Sequence, residues 1–275
     1  MPVAAFVIKD GVKYDLADYG LALLKHNIPL TPPKEVYTVD VPGKAGLVRM
    51  GSKDKSREFT LEFILMAEDS TYDYQSKLAD LSELLYSDEP LYWIFGDREG
   101  KRIQGEYNGY PDIDKVIFDG YLSIPIICHN PYFESVNDLT SGWSYGSGNT
   151  YGMGLRYGDV SSFSVKTNPT TFTVYNGGNI ALQPRILMVG KFTNLRLSDG
   201  RGNELVLTRV NQTADTVEVD CEQGQIYLNS FTNIYSQGNG VFFVLPKGET
   251  IFTVTSSEEI DCQISFTPFQ YKYTY

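Results

Sequence analysis

Asn194-Leu195-Arg196-Leu197-Ser198-Asp199-Gly200-Arg201-Gly202-Asn203-Glu204-Leu205-Val206-Leu207 is the stretch on which the fold turns. Two short strand-like runs, Asn194–Leu197 and Glu204–Leu207, flank a turn at Asp199-Gly200. Gly reaches positive φ without a steric cost, and Asp hydrogen-bonds its own backbone, so the pair favours a tight turn. The same rhythm continues in both directions. Phe172–Tyr175, Arg185–Val189, Thr216–Val219, Gln225–Leu228, Val241–Leu245, Ile251–Val254 and Gln263–Phe266 recur about every ten residues. Asn176-Gly177-Gly178, Gln237-Gly238-Asn239-Gly240 and Pro246-Lys247-Gly248-Glu249 punctuate them. Short strands in this number, with no helix between them, imply a β-sandwich or jelly roll. There is no internal repeat of solenoid or propeller period.

Upstream the pattern differs. Phe59, Leu61, Phe63 and Leu65 alternate with Glu58, Thr60 and Glu62, the period-two signature of a half-buried strand. Ser70 and Asp73 then form a capping-box pattern, and Tyr74, Leu78, Leu81 and Leu85 follow at helical spacing. The spacing predicts a helix over Thr71–Tyr86, which Pro90 prevents from continuing. Strand-like runs follow at Leu91–Phe95, Arg102–Tyr107 and Val116–Cys128. Pro125 cannot donate to a ladder, so the last run is expected at an edge or with a bulge there. From Ser135 to Gly158 the composition shifts to Gly, Ser, Asn, Thr and Tyr, which marks a boundary. The expected plan is mainly β with one helix: an α+β domain over residues 1–135, then a β-sandwich domain over 136–275 that includes the aromatic entry loop.

Composition excludes several function classes. The formal charge is 23 − 34 = −11, with no basic cluster, whereas nucleic-acid affinity depends on Lys and Arg neutralising phosphates. Direct DNA or RNA binding and attraction to anionic membranes are therefore not expected. Cys128, Cys221 and Cys262 are odd in number and lack C-x-x-C spacing, so they form neither a disulfide framework nor a zinc site. Buried free thiols are expected. The first residues lack a basic, apolar signal-peptide pattern, and no apolar run approaches the ~18 residues that span a bilayer. The chain is expected to be made in a reducing cytosol and to stay soluble.

Catalytic motifs fail one by one. Gly142-Trp143-Ser144-Tyr145-Gly146 fits G-x-S-x-G, but that elbow needs a later base histidine. The two histidines, His26 and His129, both precede Ser144. Asp199, Arg201 and Asn203 fall at alternate positions, yet Arg201 puts a cation where a calcium loop needs an oxygen. Glu258, Glu259 and Asp261 cluster in a turn, without the opposed carboxyls of a glycosidase cleft. No catalytic residue, cofactor or metal site is expected, and the chain reads as a non-enzyme. Trp143, Tyr145, Tyr151 and Tyr157 form an aromatic loop that could stack on sugars, or pack against protein as Tyr and Trp do at interfaces.

Several motifs, taken in order, resemble the distal tail proteins of siphophages. Val39-Asp40-Val41-Pro42-Gly43-Lys44-Ala45-Gly46 looks like the family's "vPGrdG" turn, and the strand Arg57–Phe63 and the helix Tyr74–Leu85 follow it. Leu91-Tyr92-Trp93-Ile94-Phe95-Gly96-Asp97 resembles the next strand, and Gly120–Phe133 ends like the family's "f-x-c-x-dPyf". Asn176-Gly177-Gly178-Asn179 and Pro184–Gly190 resemble a strand pair of its second domain. The resemblance implies a ring-forming N-terminal domain and a galectin-like C-terminal sandwich. It implies a hexameric ring at the virion's tail tip, possible in stacks, around a channel and between the tail tube and the host-recognition baseplate. The partners it implies are further copies of the chain, tail-tube, tape-measure, tail-associated hub and receptor-binding proteins, after synthesis in the bacterial host cytoplasm. Pro42 and Gly43, as a sharp exposed turn, and Tyr92 and Trp93, as interface-type aromatics, are the candidate ring contacts. The competing expectation is a carbohydrate-binding module for host cell-wall glycans. The galectin sugar-site run His-Asn-Pro-Arg is not reproduced, because His129-Asn130-Pro131 leads into Tyr132.

Overall fold

The computed structural model describes residues 3–67, 71–98, 100–116, 119–137, 155–156, 159–267 and 269–275. The chain divides into two compact units, Met1–Glu134 with Thr274–Tyr275, and Ser135–Tyr273. Both are antiparallel β structures, and one α-helix occurs among the described residues.

The first unit contains β1 (Ala5–Lys9), β2 (Val12–Asp15), β3 (Leu21–His26), β4 (Lys34–Asp40), β5 (Leu47–Asp54), β6 (Arg57–Leu65), α1 (Thr71–Leu85), β7 (Leu91–Phe95), β8 (Lys101–Tyr107), β9 (Asp112–Val116) and β10 (Asp119–Cys128), and ends in β11 (Phe133–Ser135). Its main sheet runs β2-β1-β7-β8-β10-β6-β3. A single bridge, Val3 to Leu23, brings the β3 edge to the start of β1, so six strands close on themselves. The alternation read in Phe59–Leu65 is a burial alternation: Phe59, Leu61, Phe63 and Leu65 are buried and Glu58 and Glu62 exposed. They stand opposite Ile126, Ile124, Leu122 and Gly120 of β10. That stack, with Trp93, Phe95 and Ile103, is the core.

Helix α1 covers one side of this sheet with Tyr74, Leu81, Leu84 and Leu85 buried. The Asp73 and Lys77 side chains pair at 2.9 Å one turn apart. Lys9 donates to the Glu83 and Tyr86 carbonyls, both at 2.7 Å, and so satisfies C-terminal groups that a helix leaves open. Ser70 of the capping-box pattern lies outside the described residues.

Pro125 is neither on an edge strand nor in a bulge. Along β10, β6 pairs with every residue from Gly120 to Cys128, while the other side is shared. There β9 pairs with 119–123 and β8 with 126–127. Asn108 N–H donates to the Pro125 carbonyl at 2.8 Å, so this residue's peptide groups face the shared side. Its missing N–H falls in the gap between two ladders. The run expected from Val116 to Cys128 is the strand β10, with Val116 the last residue of β9.

The second unit adds β12 (Ser162–Val165), β13 (Thr170–Asn176), β14 (Arg185–Ser198), β15 (Glu204–Asn211), β16 (Thr216–Asp220), β17 (Gln225–Leu228), β18 (Thr232–Asn233), β19 (Gly248–Thr255), β20 (Asp261–Phe266) and β21 (Lys272–Tyr273). The runs Arg185–Val189 and Asn194–Leu197 are one strand, not two. Its first half pairs with β16 and β20, and its second half with β15 and β19. The switch between sheets is made at Gly190 (φ 125°) and at an irregularity between Thr193 and Leu195, where Asn194 has φ 49°. A Cβ on Gly190 would stand 2.4 Å from the Asp261 carbonyl oxygen, so only glycine lets β20 approach there. Val241–Leu245 is not a strand; only Leu245 bridges, to Leu182. Phe172 and Phe252 of one sheet meet Phe266 of the other at 6.4 and 5.5 Å, which fills a sandwich core with rings.

Candidate functional site: the β4–β5 arm and the groove beside α1

The strands β4 and β5 pair only with each other. Every residue from Val36 to Met50 is exposed except Val48, which is half-exposed. Val36, Tyr37, Val39, Val41, Leu47 and Met50 are thus apolar side chains on an arm with no core beneath them, Leu47 at 65% and Met50 at 68% exposure.

The arm is fixed at its base and shaped at its tip. At the base, Lys34 pairs with Asp54 at 3.6 Å and Lys55 with Glu35 at 3.3 Å. The Tyr132 hydroxyl donates to Asp54 at 2.6 Å. Burial and the adjoining Asp54 carboxylate push that phenol up to about 12, so it stays protonated as the donor. At the tip, Lys44 N–H donates to the Val41 carbonyl at 3.0 Å across Pro42-Gly43. Gly43 has φ 83°. Proline first and a positive-φ residue second are what a type II turn requires, which gives the "PG" motif its physical meaning. A Cβ on Gly43 would meet nothing within 4 Å, so its constraint is the backbone angle alone.

Of the other ring-contact candidates, Trp93 is corrected. It is 1% exposed, and its indole N–H donates to the Gly105 carbonyl at 3.1 Å. Strand β7 lies between β1 and β8, so alternation along it turns Trp93 into the core and Tyr92 outward. Tyr92 is half-buried beneath the Arg102 guanidinium, 4.0 Å from its ring, and Arg102 pairs with Glu134 at 2.8 Å. Trp143, Tyr145, Tyr151 and Tyr157 lie outside the described residues, as does Ser144.

The remaining chemistry-bearing residues are structural in place. His26 pairs with Asp97 at 3.1 Å and His129 with Glu106 at 2.8 Å. Glu258 accepts from the Thr193 hydroxyl at 3.0 Å. Cys128, Cys221 and Cys262 are buried and unbridged. Among the described residues no group of three or more His, Cys, Asp or Glu is placed to hold a metal.

Against α1 lies an open apolar groove of about 450 Å³ that the sequence did not announce. Leu78, Leu81, Leu85, Ile113 and Leu122 line it, with Tyr86, Tyr107 and Tyr110 among its other walls. Leu81, Leu85 and Leu122 read equally well as ordinary core. The signal available was Tyr110, which stands at 79% exposure in a turn after β8.

Comparison with known proteins decides what this architecture belongs to. Residues 9–128 match the model of the phage tail protein RIFT-related domain, and residues 177–269 that of the siphovirus-type tail component, C-terminal domain. The fold is shared with a crystal structure described as SPP1 Dit (gp 19.1), a paradigm of the hub adsorption apparatus in Gram-positive-infecting phages. The two are 15% identical, with a TM-score of 0.67 over 98% of both chains. The chain belongs to the siphophage distal tail protein family. As a distal tail family member it is a structural component of the phage tail. A more distant likeness, at 10% identity and a TM-score of 0.42, is to a chain of the phage P2 baseplate in its activated conformation with Ca; it covers 94% of this chain and 100% of that one. No curated protein sequence matches this distal tail protein.

Proposed function

We propose that copies of this chain assemble head to tail into a closed hexameric ring at the tail tip. The ring surrounds a channel and joins the tail tube to the hub, receptor-binding and other host-recognition proteins. The first unit builds the ring, and the β4–β5 arm of each copy reaches the next. The role is architectural and non-catalytic.

The arm is the observation that carries this reading. A lone two-stranded hairpin is marginally stable in water, and three or more strands or a packed face are usually needed. This one displays six large apolar side chains to solvent. Apolar surface displayed in that amount on a hairpin without a core suits a contact with another molecule. A contact from an arm on one copy to a different surface on the next is heterologous, and heterologous contacts form a closed ring when their rotation closes.

The test is electron microscopy and mass measurement of the purified chain, alone and with its tail partners. Rings that vanish when residues 36–50 are replaced by a short Asn-Gly turn are expected. Monomers at every concentration and with every partner would refute the ring. Hydrolysis of a glycan or ester that Ser144→Ala abolishes would refute the non-catalytic role.

A further inference from the structure

We infer that Thr274 and Tyr275 are a latch that closes the first unit, which therefore stays incomplete until the sequence beyond the second unit has been made. Both residues belong to the first unit, although the whole of the second, Ser135–Tyr273, precedes them in the sequence.

The need for a latch begins at Arg57. This first residue of β6 is fully buried and stands opposite Cys128 of β10. Among the described residues no carboxylate pairs with it. Its Nε and Nη1 are buried without an acceptor, and its Nη2 donates to the Thr274 carbonyl at 2.6 Å. A buried charge persists only where it is hydrogen-bonded or paired, and removing its partner leaves the charge uncompensated. Arg98 sharpens the problem. The two guanidiniums lie 5.4 and 5.3 Å from the same Phe133 ring, so like charges share one neighbourhood. Burial lowers the pKa of Arg57, and the Arg98 charge lowers it further.

Tyr275 extends the contact that Thr274 begins. Its hydroxyl accepts from Arg98 Nη2 at 2.7 Å, and its main-chain oxygen accepts from Lys101 Nζ at 2.8 Å. Its ring lies 4.0 Å from the Arg98 guanidinium and meets Phe133 edge-on at 6.4 Å. All three hydrogen bonds of the latch have a cationic donor, which is the stronger kind, and the ring adds a cation–π contact. Tyr275 keeps 39% exposure, so it covers these cations from the solvent side.

Chain order gives this contact a consequence. Domains ordinarily fold from the N-terminal one onward as they are made, at about 5–20 residues per second. Here the second unit, roughly 140 residues, must be synthesised before the latch exists, a delay of about 7–28 s. A chain cut short within the second unit carries a first unit whose buried guanidinium has lost its acceptor. Under the ring reading above, the latch then keeps unfinished chains from assembling. That consequence rests on the ring; the latch itself does not.

Thiol labelling read cysteine by cysteine with mass spectrometry tests the latch. Cys128 lies in the first unit opposite Arg57, and Cys221 and Cys262 lie in the second, all three buried. A chain ending at Tyr273 should label at Cys128 at least about tenfold faster than the full chain, through local opening of the first unit. Cys221 and Cys262 should keep their rates. The same shortening in an Arg57→Met background should speed Cys128 by less than about threefold, because methionine brings no charge that needs Thr274. Each shortened chain is compared with the full chain bearing the same residue 57, which cancels the guanidinium's own effect on the thiol. Unchanged Cys128 labelling in the shortened chain would overturn the latch. Equal acceleration in both backgrounds would overturn it too, since the two residues would then only cover Cys128 and not serve Arg57. So would acceleration at all three cysteines, which would assign Thr274 and Tyr275 to the stability of the whole chain. None of these rates depends on association, so a chain that never forms rings defeats the ring reading and leaves this test intact.

Discussion

At Asp199 three donors converge on one buried carboxylate. The N–H groups of Arg201 and Asn203 reach Oδ1 at 2.8 and 3.1 Å, and the Asn203 amide reaches Oδ2 at 2.6 Å. Burial alone would raise this carboxyl, but the donors outweigh it and hold the group below its ordinary value of 3.8. A depressed carboxyl stabilises the fold above its unfolded pKa and loses that contribution as pH falls through the folded one. Asp199→Ala is therefore expected to cost about 1–3 kcal/mol in urea unfolding at neutral pH. The deficit against the unaltered chain should shrink once the pH is taken well below 3.8, and a pH-independent deficit would contradict this account. Added calcium should leave both midpoints unchanged, because the oxygens that could bind it already serve the turn. The cysteines follow the opposite sign. Burial pushes Cys128 and Cys262 up to about 12 and Cys221 to about 11. A raised thiol contributes stability in full below the unfolded value of 9.0 and loses it as pH climbs through the folded range. All three should resist a thiol reagent at pH 8 in the native state and react together in denaturant; fast labelling of the folded chain would show that a thiol is exposed. Trp93 marks the limit of reading single residues from sequence. Its type suits an interface as well as a core, and only the neighbours β1 and β8 decide.

Strands and helices were more legible than their connections. The helix read over Thr71–Tyr86 spans Thr71–Leu85, because its apolar spacing survives without knowledge of partners. Leu81→Ala is expected to cost about 2–5 kcal/mol, since Leu81 is buried between helix and sheet. Exposed Glu83→Ala should change stability by less than about 0.5 kcal/mol. Equal, small effects in thermal unfolding would show that the leucine does not anchor α1. The strand β14 could not be read as one element, because Gly190 and Asn194 look like turn residues locally. They act instead as the bend by which one strand serves two sheets. The arm escaped for a related reason. Its strands alternate no apolar face against a core, so a periodicity criterion finds only the turn at Pro42-Gly43. The part of the arm that sequence did expose was therefore its tip. The groove stayed hidden because Leu78 to Tyr86 and Tyr107 to Leu122 are separated in sequence and meet only in the fold.

For the whole molecule, the division into two compact units sets an expectation about folding. The span Ser135–Tyr273 holds its own ring-filled core between two sheets, and a unit with its own core folds independently. Expressed alone it should be soluble with β-type circular dichroism and a cooperative melt; a soluble chain lacking β signal would contradict that. The net charge sets the second expectation. A hexamer would carry 6 × (−11) = −66 formal charges. Phosphate binding gains its free energy from counterions released when Lys or Arg neutralises the backbone. The arm carries Lys44, Arg49 and Lys53, and its contact with the next copy would place those cations at an interface within the ring. What remains facing a channel would then offer DNA little to bind. The assembled ring should accordingly fail to retard duplex DNA even at low ionic strength, where electrostatic binding is strongest. The arm-free variant should behave the same way. Retardation that weakens steeply as salt is added would mean that cations line the channel, and would remove the proposed role of the acidic charge in letting nucleic acid pass.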